Sequence, residues 1–452
     1  MKIVIIGDGK VGYKLAKQLS EENYNIVLID KNPVKLREAT DRLDISCILG
    51  DGASMVVQQQ ADVPQSDLVI ACTSSDELNM LMCLIARKIG ARHTIARVRN
   101  PIYFQQMNIL KDDLRLSMAV NPELAVAREI ERILIFPVAS KIETFVKGRM
   151  ELVEFLIKEG NPVIGMNLFE IYKKYQIKIL VCAVKRNGEV IIPTGDFVLE
   201  QGDKLHLAAT HADMELFFKS IGNQEQKINK VIICGGGRVG YYLAKQLCEL
   251  GMHVKIIEKD YSECEKLCES LPEAMIIHGD ATNHDLLIEE GIDTTDALVS
   301  ITGIDEANII MALFAKTQGV KKIIAKVNED MRAQMVESLG IDSIVSAKSA
   351  TADAIVSYIR ARHNSRKSAN VETMYLLVDG KIEALEFLIR KETKYINIPL
   401  KDLPMKPNIL IACIGRSGKI IIPSGDDVIK LGDSVVVITK QKKIQDITEI
   451  FS

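Results

Sequence analysis

Three observations predict an α/β fold in which two doubly wound parallel-sheet domains alternate with two small α+β domains. Short apolar runs alternate with amphipathic helical stretches from Lys2 to Val98. Residues 2–19, KIVIIGDGKVGYKLAKQL, return as residues 230–247, KVIICGGGRVGYYLAKQL. The stretch after each copy changes to strand-rich sequence with hairpin turns, and that stretch repeats as well.

In order, Lys2–Ile6 reads as a buried strand and Val11–Ser20 as a helix with Leu15, Ala16 and Leu19 on one face. Ile26–Ile29 is a second strand ending at Asp30, and Leu36–Leu43 a helix. Ser46–Leu49 and Leu68–Cys72 are further strands, Glu77–Ile89 a strong helix and Thr94–Val98 a fifth strand. Short strands apolar on both faces and separated by helices belong in a parallel sheet covered on both sides. Glu123–Arg132 reads as helix, which can continue to about Phe145. Beyond it, Glu151–Ile157, Ile179–Lys185 and Lys204–Ala209 read as strands, with a helix at Leu168–Tyr175. Arg186-Asn187-Gly188 and Gly202-Asp203 supply hairpin chemistry. The first course then repeats from Val231 to Val327, and the polar, basic Ala361–Asn370 reads as a linker.

The repeat holds its register across the chain. Gly50-Asp51-Gly52 meets Gly279-Asp280-Ala281, and Thr73, Asp76-Glu77 and Asn79 meet Thr302, Asp305-Glu306 and Asn308. Gly188–Asp196 matches Gly418–Asp426. The expected divisions are therefore 1–120 and 229–348 for the Rossmann-like domains and 146–222 and 371–452 for the α+β domains. Residues 121–145 form a helical connector and 349–370 a connector and linker.

Composition narrows the function. With 57 Lys+Arg against 60 Asp+Glu, the net charge of −3 lacks the basic footprint of a nucleic-acid binder. No apolar run reaches the ~18 residues that span a bilayer. Nine scattered cysteines, several inside apolar strands, fit reduced thiols better than a disulfide framework. Cys264 and Cys268 stand at i,i+4 spacing but have no obvious His or acidic partners, so no metal site is expected.

Gly7-Asp8-Gly9-Lys10-Val11-Gly12 is a G-x-G-x-x-G between a strand and a helix. The first glycine permits the turn, the second lets a pyrophosphate approach the backbone, and the third packs helix on strand. The helix N-terminus supplies free amides and a favourable dipole for the anion. Asp30 ends the second strand, 18 residues after Gly12, where a carboxylate can accept ribose hydroxyls. The second copy is Gly235-Gly236-Gly237-Arg238-Val239-Gly240, with Glu258 18 residues after Gly240. Either carboxylate repels a 2′-phosphate, so NAD is favoured over NADP. Arg238 can reach a terminal phosphate, which leaves ATP or ADP open, and the two loops are expected to prefer different nucleotides. Asp51 and Asp280 end the third strands, where they stand beside adenosine or cap a helix. Thr73-Ser74 and Thr302-Gly303 end the fourth strands and line the pyrophosphate or cap the next helix. Arg97 and Lys326, on the fifth strands, offer phosphate counter-charges or surface salt bridges.

No catalytic residues are assigned. The sequence holds no G-x-S-x-G elbow, H-E-x-x-H or Walker A loop, and its seven histidines share no repeated pattern. The α+β segments read as binding modules, and the chain as a sensor.

The A-B-A′-B′ order, the opening MKIVIIGDGKVG and the GD and T-x-x-D-E-x-N landmarks resemble the peripheral NAD-binding component of the Trk potassium uptake system. The A units resemble RCK N-terminal domains and the B units RCK C-terminal domains. The resemblance implies a cytoplasmic subunit, peripheral on the inner face of the membrane. It implies a potassium-translocating membrane partner and assembly as a homo-oligomeric gating ring responsive to NAD(H) and adenine nucleotides. Its first site would comprise Gly7 to Val11, Asp30, Thr73-Ser74 and Arg97, and its second Gly235 to Val239, Glu258, Asp280 and Thr302. Related single-unit regulators can place a divalent ion on a carboxylate after Ser-Pro. Here Asn121-Pro122-Glu123 is matched by Ser346-Ala347-Lys348, and Lys348 would repel a cation. The alternatives are a regulator of another cation transporter and an NAD-dependent oxidoreductase.

Overall fold

Strand β1 (Lys2–Ile6) buries Ile3, Val4, Ile5 and Ile6 at the middle of a sheet, which explains its unbroken apolar run. The computed structural model describes residues 1–146, 149–222, 227–328, 339, 341, 343–366, 371–378, 381–440, 444 and 446–452. Its contacts divide the chain into two units, Met1–Glu131 with Asn229–Val356 and Arg132–Ile228 with Ser357–Ser452.

In the first unit the chain runs β1, α1 (Lys10–Glu21), β2 (Asn25–Asp30), α2 (Pro33–Arg42), β3 (Ser46–Leu49) and α3 (Met55–Gln60). It continues through β4 (Leu68–Ala71), α4 (Asp76–Ile89), β5 (Thr94–Arg97), α5 (Pro101–Asp113), β6 (Met118–Val120) and α6 (Pro122–Ile135). The six strands are parallel in the order β3-β2-β1-β4-β5-β6. The order reverses at β1, which opens a crevice beyond the strand ends where ligands of such sheets bind.

The small domain that follows has β7 (Lys141–Phe145), β8 (Met150–Leu156), α7 (Leu168–Tyr175), β9 (Leu180–Arg186), β10 (Glu189–Ile191), β11 (Lys204–Ala209) and α8 (His211–Ser220). Its sheet is antiparallel, ordered β10-β9-β11-β8-β7. Asn187 and Gly188 both take positive φ, 50° and 81°, so β9 and β10 join through the turn that suits a two-residue hairpin.

The second copy repeats each half. β12 (Lys230–Cys234), α9 (Arg238–Glu249), β13 (His253–Glu258), α10 (Tyr261–Ser270), β14 (Met275–His278) and α11 (His284–Glu289) lead on. β15 (Ala297–Ser300), α12 (Asp305–Thr317), β16 (Lys322–Lys326), β17 (Ser343–Val345) and α13 (Ala347–Arg366) follow. Their sheet order, β14-β13-β12-β15-β16-β17, is that of the first. The last domain, β18 (Val371–Leu377), β19 (Ile382–Leu388), β20 (Ile409–Arg416), β21 (Lys419–Ile421) and β22 (Ser434–Thr439), repeats the small antiparallel sheet. In the second unit the two antiparallel sheets share one core, in which Phe145, Leu152, Cys182 and Ala208 pack with Ile382, Ala384, Cys413 and Val436. The fold is thus two doubly wound parallel-sheet domains and two small α+β domains.

Three local expectations change. Helix α6 stops at Ile135, and Lys141–Phe145 is an edge strand paired with β8 instead of helix. Ile142 and Phe145 are both buried but stand at i and i+3, so they enter different cores from opposite faces of the strand, and in so short a window that spacing reads equally as a helical turn. The polar stretch from Ala361 is helical to Arg366, and residues 367–370 lie outside the described residues. Helices α3 and α5 and strand β6 complete the sheet in places where the sequence signalled no element.

In the first unit the two parallel-sheet domains exchange helix starts. Asn121, just before α6, donates through Nδ2 to the Tyr242 hydroxyl on α9 at 2.9 Å. Lys14 on α1 donates to the Ser349 hydroxyl on α13 at 2.6 Å. Lys14 and Tyr242 occupy equivalent places in the repeat.

Candidate nucleotide clefts

The turn after β1 requires its glycines. Gly7 has φ +107°, and a Cβ on Gly12 would lie 1.9 Å from the Gly7 carbonyl oxygen. A Cβ on Gly9 would meet nothing within 4 Å, so the backbone there faces open space. No side chain caps the first turn of α1, and Gly9 stands at its N-cap. Gly237 stands at the N-cap of α9 in the same way. Elsewhere Asn32, Ser75, Asn100 and Asp260 cap their helices through side-chain oxygens. Uncapped amides beneath open space form a fitting cradle for a pyrophosphate.

A carboxylate is fixed beside each loop. Asp30 accepts from the Asp8 amide at 2.6 Å and from the Asn32 amide at 2.8 Å. Glu258 accepts from the Gly236 amide at 2.6 Å and the Asp260 amide at 2.8 Å. Each oxygen therefore bonds one amide and keeps a lone pair for a ribose hydroxyl.

The loops differ at one position. Asp8, where the second copy has Gly236, is only 4 % exposed and its Oδ1 has no hydrogen-bond partner. Burial, then the neighbouring Asp30, pushes its carboxyl up to about 6. A Cβ on Gly236 would lie 2.5 Å from Leu267 Cδ1, so that loop has no room for a side chain without movement.

At the next strand ends, Asp51 accepts from the Ala53 amide and pairs with Lys31 at 3.0 Å. Asp280 accepts from the Thr282 amide and pairs with Lys259 at 2.8 Å; these contacts hold its carboxyl down at about 2. Both are turn carboxylates at the crevice rim.

Thr73 does not cap α4; Ser75 does. Thr73 instead donates from its amide and hydroxyl to Asn79 Oδ1 at 2.8 and 2.7 Å. Asn79 Nδ2 returns to the Thr73 and Arg97 carbonyls at 3.2 and 3.0 Å. Thr302, Asn308 and the Lys326 carbonyl repeat the clamp. These buried asparagines were absent from the candidate residues, although their repetition in register was a readable signal.

Arg97 donates to the Thr73 carbonyl, and Arg99 donates to the Ser74 carbonyl at 2.9 Å. Lys326 donates to the Ile301 carbonyl at 2.9 Å. Burial pulls the Arg97 guanidinium and Lys326 ammonium below their ordinary ranges. Lys326 lines the second cleft, and Arg97 holds the equivalent place in the repeat. Lys10 is exposed at the start of α1, and Val11 and Val239 are buried under the loops.

The second cleft is a cavity of about 600 Å³ bordered by Gly235, Gly237, Arg238, Glu258, Asp280, Thr302 and Lys326. It therefore gathers most of the expected second-copy residues around one space. Glu123, from the first domain, also lines it. Only tertiary packing brings that residue there, so the local sequence could not assign it. Gly240 packs beneath the loop, its Cβ position 2.3 Å from the Gly235 carbonyl oxygen.

Among the described residues no group of three metal-ligating side chains occurs, and no helix is long and apolar enough to cross a membrane.

Comparison with known proteins agrees with this architecture. The TrkA-N domain profile matches residues 3–122 and 231–347, and the TrkA-C domain profile matches residues 152–222 and 384–452. A Trk system potassium uptake protein TrkA homolog of Archaeoglobus fulgidus is 33% identical over 451 residues, covering 100% of both chains. The Trk system potassium uptake protein TrkA of Halomonas elongata is 30% identical over 458 residues, covering 100% of this chain and 98% of the relative. A structure described as the GsuK channel bound to NAD superposes with a TM-score of 0.64 at 19% identity, covering 97% of this chain and 76% of that one. The GsuK RCK domain gives 0.64 at 19% identity, covering 97% and 92%. These solved structures share the fold. With both profiles matched twice and relatives aligned from end to end, the chain belongs to the TrkA family, as a tandem repeat of TrkA-N and TrkA-C domains.

Proposed function

We propose that this protein is the nucleotide-sensing regulatory subunit of a Trk-type potassium uptake system, binding NAD(H) and, in one of its clefts, ATP or ADP. It acts at the inner face of the membrane on a potassium-translocating subunit, as a homo-oligomeric ring, and catalyses no reaction. The observation that carries this reading is the pair of uncapped glycine loops, each with a fixed carboxylate beside it. Full-length relatives named as Trk potassium uptake proteins support the transport role. Solved structures described as GsuK bound to NAD and to ADP show that a related fold accepts both kinds of ligand.

The proposed first site comprises Gly7 to Gly12, Asp30, Asp51, Thr73-Ser74 and Arg97. The second comprises Gly235 to Gly240, Glu258, Asp280, Thr302 and Lys326. Loop amides hold the pyrophosphate, Asp30 or Glu258 takes the ribose hydroxyls, and Arg97 or Lys326 supplies counter-charge. A bound nucleotide shifts the ring only by its differential affinity for two shapes. A tenfold preference corresponds to about 1.4 kcal/mol per site.

The test is an NADH fluorescence titration of the intact protein, Asp30→Ala and Glu258→Ala. The sequence contains no tryptophan, so protein-sensitised background is low. Saturable binding reduced by at least one substitution, with potassium uptake altered in cells carrying it, supports the reading. Absence of NADH, ATP and ADP binding to the intact protein refutes it.

A further inference from the structure

Resting on that nucleotide reading, we propose that Glu123 is a charge-selecting residue of the second cleft. It tunes that cleft toward a dinucleotide, while the first cleft is tuned toward a polyphosphate mononucleotide.

The geometry begins with the sheet. β13 and β14 lie on one side of β12, and β15 and β16 on the other. Ribose recognition by Glu258 places adenosine on the β13 side. Whatever follows the pyrophosphate must run toward β15 and β16. Glu123 borders this cavity together with Arg238 and Lys326. Its side chain is 17% exposed, and its buried Oε2 has no hydrogen-bond partner. Its Oε1 lies 3.9 Å from Arg99 Nη1, too far for a hydrogen bond. A dinucleotide brings a second ribose, whose hydroxyls can donate to the unpartnered oxygen. A triphosphate brings a γ-phosphate, which that carboxylate repels. Burial pushes the Glu123 carboxyl above its ordinary range, and the nearby Arg99, Arg238 and Arg97 pull it back toward the charged form.

The first copy keeps the other charges and reverses this one. Lys10 matches Arg238, and Arg97 matches Lys326, so both clefts retain two cations. Glu123 is matched by Lys348. The start of α13 is tied to α1 through Ser349 and Lys14, as the start of α6 is tied to α9 through Asn121 and Tyr242. The repeat therefore assigns Lys348 to the first cleft in the role that Glu123 has in the second. Asp8 against Gly236 is a further charge difference, but it lies beside Asp30 at the ribose end.

The experiment measures NADH and ATP affinities by calorimetry in EDTA and again with Mg²⁺. Asp30→Ala is the background that isolates the second cleft, and Glu258→Ala the one that isolates the first. In EDTA, Glu123→Gln is expected to raise ATP affinity relative to NADH at the second cleft by about tenfold. That is the order expected for one charge several ångström from a phosphate after solvent screening. Lys348→Gln is expected to lower relative ATP affinity at the first cleft by a similar factor. It provides an independent arm if Glu123→Gln does not fold. The charge exchange Glu123→Lys with Lys348→Glu should invert both preferences. Unchanged ATP-to-NADH ratios in folded variants overturn the inference while leaving nucleotide sensing intact. Loss of ATP affinity in Glu123→Gln confined to the Mg²⁺ series also overturns it, because Glu123 would then be a cation ligand. Failure of every parent protein to bind either nucleotide overturns both this inference and the function beneath it.

Discussion

Replacing Asp8 with Asn should stabilise the ligand-free protein, and only above about pH 4. The carboxyl is 4 % exposed, faces Asp30 and Glu38, and has Lys35 as its compensating cation. Its folded-state value of about 6 exceeds the ordinary 3.8 of an exposed aspartate, so the native state holds its proton more tightly than the unfolded chain does. Stability is therefore lost as pH rises from about 4 to 6, and the full penalty persists above that. Two pH units correspond to about 3 kcal/mol as a ceiling. Because the cleft is open beside Gly9, about 2 kcal/mol is the working expectation. Asn keeps the shape without the charge. For a unit of this size the gain corresponds to a rise in Tm of roughly 4 °C or more at pH 8. Calorimetric scans of both proteins from about pH 3 to pH 8 should show Tm values that nearly coincide below about pH 4 and separate toward neutrality. A constant difference at every pH, or a less stable variant at pH 8, would refute the reasoning.

Other perturbations test the supports of the clefts and the small domains. Gly12→Ala places a methyl 1.9 Å from the Gly7 carbonyl oxygen. It should abolish NADH binding in the first cleft, measured by fluorescence with Glu258→Ala as background, although alanine is the better helix former. Asn79→Ala removes the clamp on Thr73 and Arg97 and should cost about 2–3 kcal/mol in denaturant unfolding, with weaker nucleotide binding. Asp203 is fully buried and takes both arms of Arg186 at 2.7 Å, so Asp203→Ala should cost about 3–5 kcal/mol on unfolding of the second unit. In the native protein Cys268 is exposed while Cys72, Cys83, Cys182, Cys234 and Cys413 are buried. A thiol reagent should label Cys268 first and reach those five only after denaturation.

The parallel-sheet domains were readable because their strands are apolar on both faces and their glycine loops repeat in register. The same Val-Ile-rich runs gave β1 and β4 almost to the residue, and β12 and β15 followed from the repeat. β6 was invisible because Met-Ala-Val, three residues at a sheet edge, has too little length for any period. The helix before it, α5, has apolar residues around much of its circumference and buries only Met107 fully, so it lacked a clean stripe. β7 was read as helix because it adjoins a strongly amphipathic one. Within the clefts, the loop glycines, Asp30 and Glu258 were legible from local spacing. Glu123 was not, because its place depends on which helix of one domain starts against the neighbouring domain. Asp8 was visible as a letter, but its burial beside Asp30 required the folded turn.

The exchanged helix starts have a further consequence. Each parallel-sheet domain finishes part of the other's surface, so a single A–B half would leave the Asn121 and Lys14 tethers without their partners. A shorter protein built on one such half would have to recruit a second copy from solution, and both copies would carry identical residues. Joining the halves in one polypeptide replaces that encounter with a constant local concentration. It also guarantees that every pairing is between unlike partners. A substitution such as Lys at 348 then falls on one side alone, never facing its own duplicate across the axis. The tandem chain is in effect an obligate heterodimer, free to specialise its two faces independently.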